Sequence, residues 1–108
     1  MSYKIELTDN FKKEAKKLIK KYASLRTEIA ELGKELADNP TTGKPLGNDV
    51  YKIRLAIGSK NKGKSGGARV ISFVKIIDNT VFLLSIYHKG EKDSISDKEI
   101  NNLLKDYS

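Results

Sequence analysis

The sequence predicts a single α+β domain over residues 1–108, in the order β-α-α-β-β-β-α, with an N-terminal helical hairpin packed on a small, mainly antiparallel sheet. Three observations carry that prediction. Two adjacent N-terminal segments repeat apolar residues at helical spacing, and three later segments alternate or are β-branched between turn residues. The chain is also short: 108 residues, 38% of them hydrophobic, supply one modest core and no second domain.

Tyr3-Lys4-Ile5-Glu6-Leu7 alternates apolar and polar residues, as a half-buried strand does. Thr8 or Asp9 then caps a helix whose stripe is Phe11, Ala15, Leu18, Ile19 and Tyr22. Ser24 caps a second helix with Leu25, Ile29, Leu32 and Leu36 on one face. That helix stops at Asn39-Pro40, because a residue preceding proline is pushed out of the helical region. Next, Tyr51 to Ile57 alternates cleanly, with Tyr51, Ile53, Leu55 and Ile57 on one face and Lys52 and Arg54 on the other. Ala68 to Ile77 is β-branched and apolar; Asp78-Asn79 turns the chain; Val81 to Tyr87 returns as the last strand. Ser96-Asp97-Lys98-Glu99 forms a capping box, with Ile95 and Ile100 at staple spacing, and Ile100, Leu103, Leu104 and Tyr107 dock the final helix.

Several function classes fall away at once. There is no cysteine, hence no disulfide framework and no thiolate metal site, and the single histidine excludes a multi-histidine one. No cofactor is expected. No apolar run approaches the ~20 residues of a membrane span. Met1-Ser2-Tyr3-Lys4 lacks the apolar core of a secretion signal, so the chain is expected in the cytoplasm with no membrane partner.

The net charge of +7 is unevenly placed. Residues 1–43 hold nine basic and seven acidic side chains, and residues 76–108 hold four and six. Residues 44–75 hold eight basic side chains against Asp49 alone, and no acid occurs from Val50 to Ile77. A basic stretch without acids points to an anionic partner, nucleic acid first among them.

Gly58-Ser59-Lys60-Asn61-Lys62-Gly63-Lys64-Ser65 satisfies the G-x-x-x-x-G-K-[ST] phosphate-loop pattern. The chemistry of that loop needs a helix opening at the Lys-Ser, so that its first amides meet the phosphates. Here Gly66-Gly67 and a β-branched strand come next, so the pattern reads as a basic loop between two strands. Lys60, Lys62 and Lys64 are candidate clamps on an RNA backbone, with a solvated surface loop as the plain alternative.

Lys52 and Arg54 lie two apart and project from one strand face, Arg69 opens the neighbouring strand, and Tyr87, His88 and Lys89 close the last one. Adjacent strands bring these residues to one face or edge; parity does not decide which, because a bulge is invisible in the sequence. Such a cluster suits RNA cleavage without metal: a 2′-OH loses a proton, a phosphorane gains charge, and a 5′-oxygen needs a proton. Arg54 and Arg69 are fit to clamp phosphate, Lys52 or Lys89 to act as base or acid when crowded by cations, and Tyr87 to stack or move a proton. The plain alternative is a solvated strand face. For His88, a candidate RNA contact, a pairing or packing role weighs at least as much as catalysis. The six lysines of the first helix read as its wet face.

Tyr51-Lys52-Ile53-Arg54-Leu55, Gly63-Lys64-Ser65-Gly66-Gly67-Ala68-Arg69-Val70-Ile71 and Leu83 to Lys92 together resemble the RelE/ParE superfamily of type II toxins, in its RelE/HigB-like branch. The resemblance spans nearly the whole chain, and Gly-Gly-Ala-Arg-Val is its most specific part. It implies a β-α-α-β-β-β fold and, for the RelE branch, ribosome-dependent cleavage of mRNA. By matching motif positions it implies Lys52, Arg54, Arg69 and Lys89 as catalytic residues, with His88 and Lys92 among the candidate RNA contacts. Some members carry a catalytic tyrosine just past the last strand; this sequence has Ile95 there, which leaves Tyr87 or His88 to substitute. The resemblance also implies an acidic antitoxin as partner, besides the ribosome and mRNA. Two other functions fit the same scaffold, a ParE-like gyrase poison and a non-catalytic RNA-binding domain.

Overall fold

The structure, a computed structural model, describes residues 2–58, 67–92 and 94–108. Its elements are β1 (Lys4–Leu7), α1 (Asp9–Lys21), α2 (Leu25–Asp38), β2 (Lys44–Gly47), β3 (Val50–Leu55), β4 (Ala68–Lys75), β5 (Thr80–His88) and α3 (Asp97–Leu104). The strands form one sheet in the order β1-β5-β4-β3-β2. β1 lies parallel to β5, and the other neighbours are antiparallel.

Each face of the sheet carries its own core. The α1–α2 hairpin covers one face: Phe11, Ala15 and Leu18 of α1 and Leu25, Leu32 and Leu36 of α2 pack on Ile53, Ala68, Val70, Val74, Val81, Leu83 and Ile86. Phe11, Leu25 and Leu36 are fully buried, and each contributes about 1.5–3 kcal/mol by leaving water. The opposite face holds Val50, Ile71, Phe73, Leu84 and Tyr87 beneath Ile100 and Leu104 of α3. α3 is shorter than the sheet, so the end of this face near Arg54 is left to polar groups.

The caps follow the sequence in two of three helices. Thr8 accepts a hydrogen bond from the Phe11 amide at 3.2 Å, and Ser96 with Glu99 forms the full capping box. Ser24 differs: its backbone is already helical, and its hydroxyl donates to Glu28 at 3.3 Å instead of capping.

Three strand expectations are corrected. β2 is an additional strand: Lys44 pairs with Lys52 and Pro45 with Tyr51, and all four of its residues are exposed. β3 stops at Leu55, although Ile57 beyond it remains fully buried. β4 stops at Lys75, and Ile76–Asp78 forms a 3₁₀ turn in which Ile77 is 87% exposed. The turn closes on Asn79 at φ 49°, a left-handed position that asparagine tolerates.

Candidate nucleic-acid interface

Val50 of β3 packs under α3, so the two-residue period of the strand sends Lys52 and Arg54 to the same face. On β4, Ile71 and Phe73 face α3, which sends Arg69 there too. The register sets Arg54 directly opposite Arg69, and Arg69 directly opposite Tyr87. Three strands thus present one row, Arg54-Arg69-Tyr87, with Lys52 one step along β3 opposite Ile71.

Tyr87 reaches this row because of a bulge. Ile71 pairs with Ser85 and Ser72 with Leu83, so Leu84 has no residue opposite it. One extra residue inverts the parity of the strand beyond it. Phe82 and Leu84 face α3 before the bulge, and Tyr87, not an even-numbered residue, faces it afterwards. His88 is turned to the other face, where its ring lies 5.4 Å from that of Tyr22.

The face is strongly cationic. Partial burial, then the charges of Lys44, Arg69, Arg54 and Lys89, hold the Lys52 ammonium below the usual lysine range. These four neighbours define the cluster electrostatically. The sequence does not single out Lys44, because β2 has no alternation to reveal it; its position opposite Lys52 supplies the missing signal. Lys44, Lys52 and Arg54 line an open groove of 330 Å³ with Thr42 and Gly43. Arg69 is only 3% exposed and donates from Nη1 to the Ala68 carbonyl at 3.1 Å, so its guanidinium is held in place rather than swinging in solvent.

Gly67 sets the approach of β4 to β3. A Cβ at Gly67 would stand 2.2 Å from the Leu55 carbonyl oxygen, which no side chain tolerates. The glycine therefore lets Arg69 begin its strand directly beside Arg54. The Lys89 amide closes the same end by donating to the Gly67 carbonyl at 3.1 Å.

Tyr87 lies on the cationic face but is sealed. It is 6% exposed, its hydroxyl has no hydrogen-bond partner among the described residues, and the Lys92 ammonium lies 5.6 Å from its ring centroid. Burial raises the phenol above its ordinary range, against the opposing pull of Arg69 and Lys92. The ring therefore offers no open stacking surface. Lys92 is tied to Glu99 at 2.5 Å, a pairing that also lowers the Glu99 carboxyl.

His88 does not join the cationic face. It is 7% exposed on the α1–α2 side of the sheet, and Gly90 lies against its ring, where a Cβ would sit 2.8 Å from Cε1. The reason is the bulge, which the sequence could not reveal. Lys60, Lys62 and Lys64 lie outside the described residues, as does most of the phosphate-loop pattern; the chain re-enters the described structure at Gly67 and runs into strand β4, not into a helix. A concavity of 620 Å³ lies elsewhere among the described residues, between α1 and α2, with Phe11, Ala15, Ile19 and Ile29 among its lining. Its floor is apolar, Lys12, Lys16, Lys20 and Arg26 also line it, and it holds none of the residues named for phosphate chemistry. No helix of the described residues is long and apolar enough to cross a membrane.

Comparison with known proteins places this architecture among small α+β toxins. A mutant of the E. coli toxin RelE in its free state matches with a TM-score of 0.68 at 21% identity, each chain covered in full. The intact E. coli RelBE toxin-antitoxin complex matches at 24% identity and a TM-score of 0.62, over 81% of this chain and 96% of the other. The RelBE2 toxin-antitoxin complex of Mycobacterium tuberculosis matches at 19% identity and 0.63, over 82% and 99%. At these identities the likeness concerns the fold. No curated protein matches by sequence. The family model described as the RelE toxin of the RelE / RelB toxin-antitoxin system matches residues 3–107. The chain belongs to the RelE family, and hence to the toxins of type II toxin-antitoxin systems.

Proposed function

We propose that this toxin is a ribosome-dependent mRNA endonuclease that cuts by attack of a ribose 2′-OH on the adjacent phosphate, with no metal. The observation that carries this reading is the cation cluster on one sheet face. Arg54 and Arg69 stand opposite each other, beside a Lys52 whose proton is loosened by burial and by its neighbours.

In this mechanism Lys52, as the neutral amine, takes the proton of the 2′-OH. The freed oxygen bonds to phosphorus; the exposed Arg54 holds one developing negative charge directly, and Arg69, 3% exposed, holds the other once RNA binding uncovers its guanidinium. The bond from phosphorus to the 5′-oxygen then breaks, leaving a 2′,3′-cyclic phosphate. The exposed Lys89 ammonium at the end of β5 gives its proton to the departing 5′-oxygen. Tyr87 stands opposite Arg69 in the β4–β5 register as a support for it rather than as a reacting group, since its hydroxyl is sealed. An open face suits an extended RNA strand held elsewhere, as mRNA is on the ribosome. Lys92, and Lys60, Lys62 and Lys64 outside the described residues, extend the phosphate contacts in this reading.

The same face is the surface an acidic antitoxin would cover. RelE of E. coli and its M. tuberculosis relative were each determined with their antitoxins, and a cognate acidic antitoxin is part of this reading.

Expression of the chain alone should halt growth and leave transcripts cut within codons on translating ribosomes. Intact transcripts alongside blocked DNA supercoiling would instead make the chain a gyrase poison. RNA binding with neither effect would make it a binding domain.

A further inference from the structure

β1 pairs with β5 only as far as Leu7 opposite Leu83. Beyond that point the outer edge of β5 has no neighbouring strand, and its backbone groups need other partners. Helix α1 supplies them. Thr8 Oγ1 donates to the Leu83 carbonyl at 2.9 Å, and Asn10 Nδ2 donates to the Leu84 carbonyl at 2.9 Å. Glu14 Oε1 accepts from the Ser85 hydroxyl at 2.6 Å, from the Ile86 amide at 3.3 Å and from Asn10 Nδ2 at 2.8 Å. Thr8, Asn10 and Glu14 therefore grip residues 83–86, the segment that contains the unpaired Leu84.

That bulge decides which side chain faces the cations. With it, Tyr87 stands opposite Arg69 and His88 packs on Tyr22; without it, the two would exchange faces. We propose that Glu14 is a positioning residue for the cationic face, acting through the β5 bulge to keep Tyr87 opposite Arg69. Its carboxylate is the acceptor for both groups just past the bulge, Ser85 Oγ and Ile86 N–H. A neutral apolar side chain there would leave both donors, on residues only 2% and 1% exposed, without that acceptor. The bulge would then compete with a regular pairing of β4 and β5.

The activity half of this inference rests on the nuclease reading; the structural half does not. The test uses Glu14→Met, which keeps length but removes the acceptor, and Glu14→Gln, whose amide oxygen still accepts. By NMR, Glu14→Met should speed exchange of the Ile86 amide about tenfold or more and weaken the Tyr22–His88 ring contact, while Glu14→Gln retains both. The lone histidine makes that contact simple to assign. On cleavage in a translating extract, Glu14→Met should cost about tenfold in the wild-type background and less than about twofold when Tyr87→Leu is already present. Glu14→Gln should restore cleavage to within about threefold.

Unchanged Ile86 exchange and an unchanged Tyr22–His88 contact in Glu14→Met would overturn the proposal. So would equal losses of cleavage in both backgrounds, the mark of general destabilisation. If Glu14→Met does not fold, Glu14→Gln decides: loss of the bulge with the acceptor oxygen still present overturns it. A wild-type chain that cuts no mRNA removes the nuclease reading, and the exchange and ring-contact measurements then decide the role of Glu14 alone.

Discussion

Arg54 and Arg69 face each other directly across the β3–β4 ladder, two permanent charges of one sign at one cross-strand position. Like charges so placed oppose strand pairing, by about 0.2–1 kcal/mol. The proposed phosphate chemistry accounts for that arrangement; strand pairing does not. Arg54→Thr is therefore expected to melt no lower than wild type while cutting mRNA at least about tenfold more slowly. A fall in melting temperature would show that Arg54 serves the fold.

Lys52 gives a pH signature. Its proton is loosened in the folded chain by burial and by Lys44, Arg69, Arg54 and Lys89. As the base, it should make cleavage rise with pH and level off below the usual lysine range. Lys52→Arg, charged throughout, should be slow and flat. Stability carries the matching sign. Between the lowered folded value and the ordinary 10.5, the unfolded chain binds more protons at this site, so wild type gains stability as pH rises through that window. Lys52→Gln should lose that gain, and a Lys52→Gln variant with the wild-type slope would contradict the assignment.

Tyr87 carries a buried hydroxyl with no partner among the described residues. Removing it removes a desolvation cost of about 1–3 kcal/mol. Tyr87→Phe is expected to melt at or above the wild-type temperature and to keep cleavage within about threefold, because the ring remains opposite Arg69. A large loss of cleavage in a fully folded Tyr87→Phe would return the phenol to the reaction itself.

Gly67 tests the geometry of the site by sterics alone. With Leu55 O 2.2 Å from the position of a Cβ, Gly67→Ala must push β3 and β4 apart. A destabilisation of about 1–3 kcal/mol or more is expected, read from chemical denaturation. An unperturbed Gly67→Ala would mean the strands are not held this close.

Much of this is legible in the sequence, for reasons that can be located. Tyr51 to Leu55 has one wet and one dry face, so its alternation exposes both the strand and the Lys52/Arg54 pair. Ser96 and Glu99 announce the start of α3 because a capping box is local chemistry. β2 is hidden: Lys44-Pro45-Leu46-Gly47 is exposed throughout and has no apolar alternation. Ile76 and Ile77 read as strand because they are β-branched, yet they sit exposed on a turn that tertiary geometry imposes. The bulge at Leu84 is the most consequential gap. β5 is buried on both faces, so its sequence has no dry-wet phase to break, and the side on which Tyr87 and His88 emerge cannot be read from it. Glu14 escapes notice for the same reason, standing among the lysines of α1 with its partners 71 and 72 residues away.

The proposed cutting of mRNA on the ribosome by the face built on Arg69 is read out by primer-extension mapping of an mRNA in a purified translation system given the wild-type chain, Arg69→Ala or Arg69→Met. The chain should cut within codons only when translating ribosomes are present, and both variants, folded by circular dichroism, should leave the message intact. Codon-phased cutting by a folded Arg69→Ala, or an intact message with the wild-type chain, would contradict it.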